Sequence, residues 1–332
     1  MADRKHRALA LFSGGLDSLL SVVWMRKRGY EVLPVTFTAA YIPPDKAEKY
    51  ARENGLELIV KDISVEHLAM LQNPVHGYGK NFNPCIDCHA LMFEQAGKQL
   101  CELDADYLIS GEVLGQRPMS QRRNSLQAVE KLSGCGDLIV RPLSQRLLPD
   151  TLPIRENWVD KNDLLAIHGR GRTQQMELAA QFGLSYPAPG GGCLLTDRNF
   201  SLRLKDLFAH GQASAANIRL LRWGRHFRLN ESIKLIVGRT QADNAGLEAE
   251  DFPGVYFKLR DAEGPLGLLT ASDPSEELLR LAASIILHYS PKAASRDWLK
   301  YGVDKNYALE IEVEKCPEPS FRPYLISLDK DR

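Results

Sequence analysis

The sequence predicts an α/β protein with a doubly wound parallel sheet, followed by a smaller α+β domain. Apolar strand-like runs alternate with helix-like segments over the first 146 residues, which is the order that a parallel sheet requires. A glycine-rich turn follows the first apolar run directly, at the place where such sheets bind ligands. Beyond about residue 198 this alternation ends and a different order of strands and helices begins.

The elements of the first domain are predicted in chain order. Strands are expected at residues 8–12, 31–38, 56–62, 106–110 and 138–142, with helices at 44–54 and 88–103. Pro149 and Pro153 then mark a connection. The remaining predicted elements are helices at 160–167, 173–182 and 275–289 and strands at 233–238 and 255–259.

Length and composition indicate a globular protein of two or three domains, with 332 residues, 44% of them hydrophobic. Lysine plus arginine and aspartate plus glutamate both number 42, so any attraction to nucleic acid must be local. No apolar run approaches the ~20 residues of a membrane span, and the first residues lack the apolar region of a signal peptide. We therefore expect a cytoplasmic protein with no membrane partner.

Residues 13–18 read Ser-Gly-Gly-Leu-Asp-Ser and follow the first predicted strand. A strand that ends in a glycine-rich turn and opens into a helix directs backbone N–H groups and the helix dipole at one point, which suits a phosphate. Asp17 adds a carboxylate, expected on a solvent-facing helix start, that suits Mg²⁺. The alternative is a tight turn without a ligand. The expected nucleotide-binding residues are Ser13, Gly14, Gly15, Asp17, Ser18, Thr36, Gly111 and Glu112.

Three of the six cysteines form a candidate metal site. Cys85 and Cys88 make a Cys-x-x-Cys pair at a predicted helix start, and Cys193 follows Gly190-Gly191-Gly192. Three thiolates fit a 4Fe–4S cluster in which one iron stays open to an exogenous ligand. The sequence therefore predicts a cluster held by these three side chains.

Two alternatives to the cluster remain open. Cys85 and Cys88 could hold structural zinc, for which His89 would have to be the fourth ligand. Cys193 could be a small buried residue in a glycine turn. The isolated Cys101 is expected in the core, on an apolar helix face.

Several of these segments together resemble one family. Residues 13–18, 83–89 (Asn-Pro-Cys-Ile-Asp-Cys-His) and 106–112 (Asp-Tyr-Leu-Ile-Ser-Gly-Glu) occur in the order seen in tRNA 2-thiouridylases, which are PP-loop ATP pyrophosphatases. Residues 190–193 match the later cysteine region of that group. The resemblance covers roughly residues 7–200. Residues 233–244 resemble the RNA-binding domain of the fibronectin-binding-related (NFACT) RNA-quality-control factors.

The resemblance implies an adenine nucleotide α-hydrolase-like PP-loop fold that uses ATP and Mg²⁺. Together with the changes of pattern near residues 147 and 198, it predicts an ATP-binding domain over residues 1–146, a connecting segment with the third cysteine over 147–200, and an α+β RNA-binding domain over 201–332. The best-known 2-thiouridylases have Asp in place of Cys85 and use a persulfide. Three cysteines instead resemble the cluster-dependent type, which includes archaeal-type 4-thiouridine synthetases.

A basic stretch indicates where RNA would bind. Residues 198–239 hold nine lysines and arginines against two acids, a net charge of +7. Arg222, Arg225 and Arg228 lie around Trp223, so the stretch could neutralise phosphates and stack an unpaired base. The alternative is a solvated helix face with Trp223 in the core. A second, smaller candidate for RNA phosphates is the pair Arg170 and Arg172.

These observations predict an ATP-dependent tRNA sulfurtransferase that adenylates a uridine carbonyl and replaces its oxygen with sulfur, giving 2-thio- or 4-thiouridine. The expected catalytic residues are Asp17, Cys88 and Cys193. In a variant left open, Cys193 carries a persulfide and Cys88 is the resolving thiol. The expected partners are tRNA and a sulfur donor, either inorganic sulfide or a persulfide derived from a cysteine desulfurase, and a homodimer is left open. The rival functions are an amide-forming or nitrogen-transferring ligase with structural zinc, and a non-enzymatic ATP-sensing RNA-binding factor.

Overall fold

The computed structural model describes residues 5–188 and 192–327, and these form two compact units. The boundary lies between Gly192 and Cys193. Each unit has its own sheet and its own hydrophobic core.

The first unit contains a five-stranded parallel sheet, which confirms the predicted doubly wound architecture. Its strands are β1 (Arg7–Leu11), β2 (Glu31–Thr38), β3 (Ile59–Asp62), β4 (Tyr107–Ile109) and β5 (Ile139–Val140). Their order in the sheet is β3-β2-β1-β4-β5, and every pair is parallel. The chain therefore winds from β1 to one side and then crosses to the other.

Seven helices accompany this sheet in the described residues. They are α1 (Leu16–Lys27), α2 (Asp45–Glu53), α3 (Ser64–Gln72), α4 (Cys85–Gln99), α5 (Arg123–Ser133), α6 (Leu152–Arg155) and α7 (Thr173–Gln181). Short 3₁₀ turns occur at Gly136–Leu138, Gln145–Leu147 and Lys161–Asp163. The helix predicted at 160–167 is wrong, because the Asp160 carboxylate accepts a hydrogen bond from the Asn162 N–H and closes a local turn instead.

Alternate residues of the strands enter two different cores, as expected for a parallel sheet that is covered on both faces. Ala8 and Ala10 of β1 pack into the core that contains Leu19 of α1. Leu9, which lies between them, packs into the core that contains Phe93 of α4. The sheet is therefore the middle layer between α1 on one face and α4 on the other.

The second unit contains a six-stranded antiparallel sheet, which confirms the α+β expectation. Its strands are β6 (Arg225–Arg228), β7 (Lys234–Val237), β8 (Val255–Leu259), β9 (Gly267–Leu269), β10 (Arg296–Val303) and β11 (Leu309–Glu314), in the order β11-β10-β8-β9-β7-β6. Its helices are α8 (Arg198–Ala209), α9 (Ala215–Leu220), α10 (Gln241–Ala249), α11 (Glu276–His288) and α12 (Glu318–Phe321), with 3₁₀ turns at Leu194–Thr196 and Arg322–Tyr324. Ala282 and Ile286 of α11 pack against Phe257 and Leu299 in the main core.

Helix length bears on membrane insertion, since a span needs about 20 apolar residues. The longest helix in the described residues is α4, with 15 residues. Within residues 5–188 and 192–327, no helix is both long enough and apolar enough to cross a bilayer.

Candidate functional site

The candidate site lies where the strand order of the first unit reverses, between β1 and β4. The carboxyl ends of these two neighbouring strands meet at this point, where open parallel sheets bind their ligands. The turn 13–18 follows β1, and Gly111 and Glu112 follow β4. The structure brings the two segments into contact, because a Cβ atom at Gly111 would lie 2.6 Å from the backbone N of Ser18.

The turn 13–18 is held in shape by glycines and by the Ser18 hydroxyl. Gly14 has a φ of +67°, and a Cβ there would lie 2.6 Å from the Lys46 carbonyl oxygen. The Ser18 Oγ donates to the Gly15 carbonyl (2.9 Å) and accepts from the Ser13 N–H (3.2 Å). Gly15 is the N-cap of α1, and no described side chain caps this helix start. The first-turn amides of α1 are thus placed to bind an anion.

Asp17 lies in the first turn of α1, and its side chain is only 15% exposed. The expectation that it faces solvent is therefore wrong. Its Oδ2 accepts a 2.7 Å hydrogen bond from the Gln116 Nε2, while its buried Oδ1 has no partner among the described residues. Burial raises the pKa of Asp17, although the Gln116 hydrogen bond and the charges of Arg172 and Arg117 oppose this shift. A buried carboxylate oxygen without a donor is suited to a hard cation such as Mg²⁺.

Basic side chains surround this carboxylate. The Arg172 Nη2 lies 3.7 Å from the Asp17 Oδ2. Burial, together with the charges of Arg117 and Arg172, lowers the pKa of Lys46. The structure thus brings Arg172, predicted as an RNA-binding residue, to the turn 13–18, whereas its predicted companion Arg170 is exposed.

Glu112, predicted to bind nucleotide, is buried and has both carboxylate oxygens engaged. Its Oε1 lies 2.8 Å from the His89 Nδ1, and its Oε2 accepts a 2.9 Å hydrogen bond from the Arg141 Nε. Burial opposes ionisation, but the Arg141 charge and the His89 contact outweigh it and lower the pKa of Glu112 to about 2. Glu112 therefore connects the end of β4 to the first turns of α4. Thr36, also predicted to bind nucleotide, is buried in β2.

Cys85 and Cys88 lie in the first turn of α4, as predicted from their spacing. The Asn83 Nδ2 donates to the Cys85 Sγ at 3.1 Å. The Cys88 Sγ lies 3.5 Å from the Nε2 of His67, and that nitrogen lies 3.1 Å from the Tyr41 hydroxyl. Burial lowers the pKa of His67 to about 4, so a neutral imidazole faces Cys88 at ordinary pH.

Cys193 is exposed and begins the second unit. Gly190 and Gly191, which the sequence analysis placed before it, lie outside the described residues. Within the ranges 5–188 and 192–327, no group of three His, Cys, Asp or Glu side chains has a geometry that could hold a metal ion. Two of the three predicted cluster ligands, Cys85 and Cys88, lie in one turn of α4.

One other prediction about this region is corrected by the structure. Cys101 is exposed, so its predicted place in the core is wrong, because α4 ends at Gln99 and Cys101 lies in the turn that follows. His89, the suggested fourth zinc ligand, directs its Nδ1 to Glu112.

The basic stretch 198–239 of the second unit is partly internal. The Arg228 Nε donates to the Asp206 Oδ1 (3.1 Å), and the Lys234 Nζ lies 3.5 Å from the Oδ2 of the same residue. Burial lowers the pKa of Lys234 to about 7, even though Asp206 favours its charged form. Arg203 is also buried and donates to the Leu221 and Gly224 carbonyls. The +7 of this stretch is thus not all surface charge.

Arg222 and Arg225, two other predicted RNA-binding residues of this stretch, are partly exposed. The Arg222 guanidinium lies 5.0 Å from the Trp223 ring, and that of Arg225 lies 4.3 Å from the Tyr289 ring. Trp223 packs on Gly246, and its Nε1 donates to the Glu250 carboxylate (3.2 Å).

Sequence reasoning did not single out four residues that shape the site of the first unit: Lys46, His67, Arg141 and Gln175. Arg141 directly follows β5, so the strand-end rule that identified Gly111 could have found it. Lys46 lies in the first turn of α2, the helix that follows β2, so the same rule could have found it. His67 lies within α3 and Gln175 within α7, and no sequence signal marks either of them.

Each unit contains a segment that matches a known family model. Residues 4–145 match the family model described as thiamine biosynthesis protein (ThiI). Residues 224–325 match the model described as the NFACT protein RNA binding domain.

Two curated relatives are similar to part of this chain. The "tRNA-specific 2-thiouridylase MnmA 3" of Bacteroides fragilis is 30% identical over 115 residues, which are 33% of this chain and 32% of that protein. The "Probable tRNA sulfurtransferase" of Thermococcus kodakarensis is 30% identical over 145 residues, which are 41% of this chain and 36% of that protein. The chain thus spans about a third of the length of the curated relatives it matches.

A solved structure is also similar, described as a "predicted subunit of tRNA methyltransferase" from Methanocaldococcus jannaschii. Its sequence identity is 19% and its TM-score 0.39, over 64% of this chain and 91% of that one.

Replacing Glu112 tests its structural role. In Glu112→Gln the buried Arg141 loses an anionic partner, so we expect the free energy of unfolding of the first unit to fall by about 3 kcal/mol at pH 7. Because folding lowers the pKa of Glu112 to about 2, its contribution is present above the ordinary pKa of 4.5 and is lost as the pH falls toward 2. The difference between wild type and variant, measured by urea unfolding at a series of pH values, should shrink over that interval.

The control is Glu102→Gln, which removes an exposed ion pair with Lys61. We expect a change of about 1 kcal/mol or less for this variant. Equal stabilities of wild type and Glu112→Gln at pH 7 would contradict the assignment.

Proposed function

We propose that this chain is an ATP-dependent tRNA sulfurtransferase, because residues 4–145 match the ThiI family model and residues 224–325 match the model of the NFACT RNA-binding domain. It adenylates a uridine carbonyl and replaces the oxygen with sulfur, to give 2-thio- or 4-thiouridine. The observation that carries the proposal is the switch point of the first unit. There the start of α1 has no side-chain cap, and the buried Asp17 carboxylate has one oxygen without a hydrogen-bond partner among the described residues. The end of β4 lies at the same sheet edge, and Glu112 connects it to α4, the helix that carries Cys85 and Cys88.

The nucleotide-binding step uses the turn 13–18. The first-turn amides of α1 and the Ser13 hydroxyl bind ATP phosphates, while Ser18 holds the turn in shape. Asp17 would hold Mg²⁺, since its buried Oδ1 lacks a donor among the described residues. When bound, this ion neutralises phosphate charge. Gly111 keeps the start of α1 close to the end of β4.

The adenylation step activates the base. The uridine carbonyl oxygen attacks the α-phosphorus of ATP, the bond to the β-phosphate oxygen breaks, and pyrophosphate leaves. The oxygen, a poor leaving group in uridine, then leaves as part of AMP. Positioning the two reactants at the strand ends supplies much of the rate, because orientation converts a bimolecular reaction into one within a complex.

The sulfur step is assigned to the cysteines, with inorganic sulfide or a cysteine-desulfurase-derived persulfide as the sulfur donor. The described residues show no complete ligand set for a 4Fe–4S cluster, and the cysteine variants below distinguish a cluster from a persulfide. In the persulfide form, the cysteine-desulfurase-derived persulfide transfers its terminal sulfur to Cys193 and leaves as a thiolate. That sulfur on Cys193 then attacks the activated carbon, and AMP leaves. The Cys88 thiolate then attacks the Cys193 sulfur, a disulfide forms, the transferred sulfur stays on the base, and an external thiol reductant restores both cysteines.

Recognition of tRNA is assigned to the second unit, with Arg170 of the first unit as a further phosphate contact. Arg222 and Arg225 are the best-placed side chains of the basic stretch, since each lies beside an aromatic ring and neither forms an ion pair with a carboxylate within the described residues. Arg228 donates a hydrogen bond to the Asp206 carboxylate, so we assign it to stabilising the fold.

Two measurements test the whole proposal. Nucleoside mass spectrometry of tRNA from cells with and without this gene should reveal a thiolated uridine that disappears with the gene. Pyrophosphate release by the purified protein should depend on tRNA. Pyrophosphate release without any thionucleoside would favour an amide-forming or nitrogen-transferring ligase, and tRNA binding without pyrophosphate release would favour an ATP-sensing RNA-binding factor.

Asp17→Ala tests the nucleotide chemistry. We expect tRNA-dependent pyrophosphate release to fall by about 10²-fold or more, because an electrostatic partner of the reacting phosphates is removed. The matched control is Glu66→Gln, an exposed first-turn carboxylate of α3 outside the proposed site. Wild-type turnover in Asp17→Ala, measured with a coupled pyrophosphate assay, would refute the role of this carboxylate.

The cysteine variants decide the sulfur chemistry. If a cluster is present, Ala at Cys85, Cys88 or Cys193 should abolish iron, acid-labile sulfide and thiolation together, because a three-thiolate site cannot spare a ligand. In the persulfide form, Cys85→Ala should be mild, while Cys88→Ala and Cys193→Ala abolish thiolation without any change in metal content. The measurements are iron, sulfide and single-turnover thiolation on anaerobically purified protein.

Cys101→Ala is the control for these variants, since Cys101 is exposed beyond the end of α4. It should retain all the measured properties of the wild type. Stoichiometric zinc in active protein, with no iron after anaerobic reconstitution, would rule out the cluster.

Arg222→Ala tests the RNA surface. We expect weaker tRNA binding and a slope of log affinity against log salt that falls by about one unit, because one phosphate contact is lost. Arg280→Ala is the control, as this arginine is exposed on α11 and pairs with Glu276. Filter binding over a salt series gives both slopes. An unchanged slope in Arg222→Ala would identify its surroundings as an ordinary solvated surface.

A further inference from the structure

Arg172 has a position that RNA binding does not explain. It is the N-cap residue of α7, and its guanidinium lies 3.7 Å from the Asp17 carboxylate, in the nucleotide-binding turn. Arg170, two residues earlier in the same Gly-Arg-Gly-Arg turn, is exposed. Two arginines that the sequence presents as a pair are therefore in different electrostatic surroundings.

Positive charge exceeds negative charge around Asp17. The Lys46 backbone lies against Gly14 of the turn 13–18, and Arg117 directly follows Gln116, whose side chain donates to Asp17. The charges of Arg172 and Arg117 oppose the rise in the pKa of Asp17 and contribute to the lowered pKa of Lys46. The three cations come from three separate elements: α2, the segment after β4, and the start of α7. One carboxylate cannot neutralise three cations, so the cluster is suited to a ligand that carries several negative charges.

A chain of buried amides fixes α7 relative to this carboxylate. The Gln175 side chain is fully buried, and its Nε2 donates to the Gln116 Oε1 at 3.0 Å. The Gln116 Nε2 in turn donates to the Asp17 Oδ2 at 2.7 Å. Gln175 lies in the first turn of α7, so the bonds that orient Asp17 also fix the helix end that carries Arg172. The guanidinium is thereby positioned before any ligand arrives.

We propose that Arg172, with Arg117 and Lys46, forms the subsite for the β- and γ-phosphates of ATP and holds the pyrophosphate product. This inference rests on the ATP use in the proposed function. Pyrophosphate carries more negative charge than the single phosphate of AMP, and three cations beside an uncapped helix start match that larger charge. Arg172 therefore belongs to the nucleotide site, and Arg170 alone of this pair is left to RNA.

The test measures binding of inorganic pyrophosphate and of AMP, each with Mg²⁺, by isothermal titration calorimetry on the full chain. Arg172→Ala should weaken pyrophosphate binding at least tenfold and leave AMP binding unchanged. Arg172→Lys should recover part of the loss, because it restores the charge but not the fork of donors. Arg170→Ala, the matched control from the same turn, should bind pyrophosphate as the wild type does.

A parallel measurement of tRNA affinity separates the two roles of Arg172. We expect Arg172→Ala to bind tRNA as tightly as the wild type. Weaker tRNA binding with unchanged pyrophosphate binding would overturn the subsite and return Arg172 to RNA. Unchanged binding of both ligands would also overturn it, and would leave the Asp17–Arg172 contact as an ion pair of the fold.

These binding assays need neither a sulfur donor nor turnover, so their outcome is independent of sulfur transfer. Selective loss of pyrophosphate binding in a protein that forms no thionucleoside would support the subsite while refuting the proposed function. A wild-type protein that binds no pyrophosphate would refute the subsite itself, whatever the nucleoside analysis shows.

Discussion

The site of the first unit depends on a steric constraint at the start of α1. Its backbone approaches two neighbours so closely that neither contact leaves room for a side chain: Gly14 against the Lys46 carbonyl, and Gly111 against the backbone of Ser18. A Cβ at either position would be 2.6 Å from a backbone atom, and a backbone atom cannot be displaced without moving the element that carries it. These two contacts fix α1 between α2 and the end of β4. The position of its first-turn amides and of Asp17 follows from them.

Two carboxylates at this sheet edge have pKa values that are shifted in opposite directions, and this difference distinguishes a structural group from a group that is suited to bind a ligand. Glu112 has a partner for each oxygen, and its pKa is lowered to about 2. Asp17 has one oxygen without a partner in the described chain, and burial raises its pKa. A satisfied carboxylate stabilises the fold and gains little from a ligand, whereas an unsatisfied one gains a partner when a cation arrives. Glu112 is therefore a positioning group for α4, while Asp17 is placed to act on a ligand.

The sequence was sufficient for features that depend on neighbouring residues. The strand, glycine turn and helix around residues 13–18 are local, and so is the Cys-x-x-Cys pair at the start of α4. The burial of Asp17 could not be predicted, because the amide that covers it belongs to Gln116, 99 residues later. The helix predicted at 160–167 was wrong for a local reason, because the Asp160 side chain accepts a hydrogen bond from the Asn162 N–H and forms a turn in place of the helix. The placement of Arg172 depends on α7 docking against α1, which no short-range pattern encodes.

Charge counts along the chain give a poor guide to where an anion binds, and the two units show why. The stretch 198–239 carries +7, yet Asp206 holds Arg228 and Lys234, and Arg203 is buried against backbone carbonyls. The cations around Asp17 come from residues 46, 117 and 172, so no window of the sequence reveals them together. A polyanion is attracted by positive charge that is not neutralised by nearby carboxylates and that lies beside hydrogen-bond donors without a partner. A chain with equal numbers of acidic and basic residues can therefore hold a strongly cationic site, and in the first unit the fold assembles one from three distant segments.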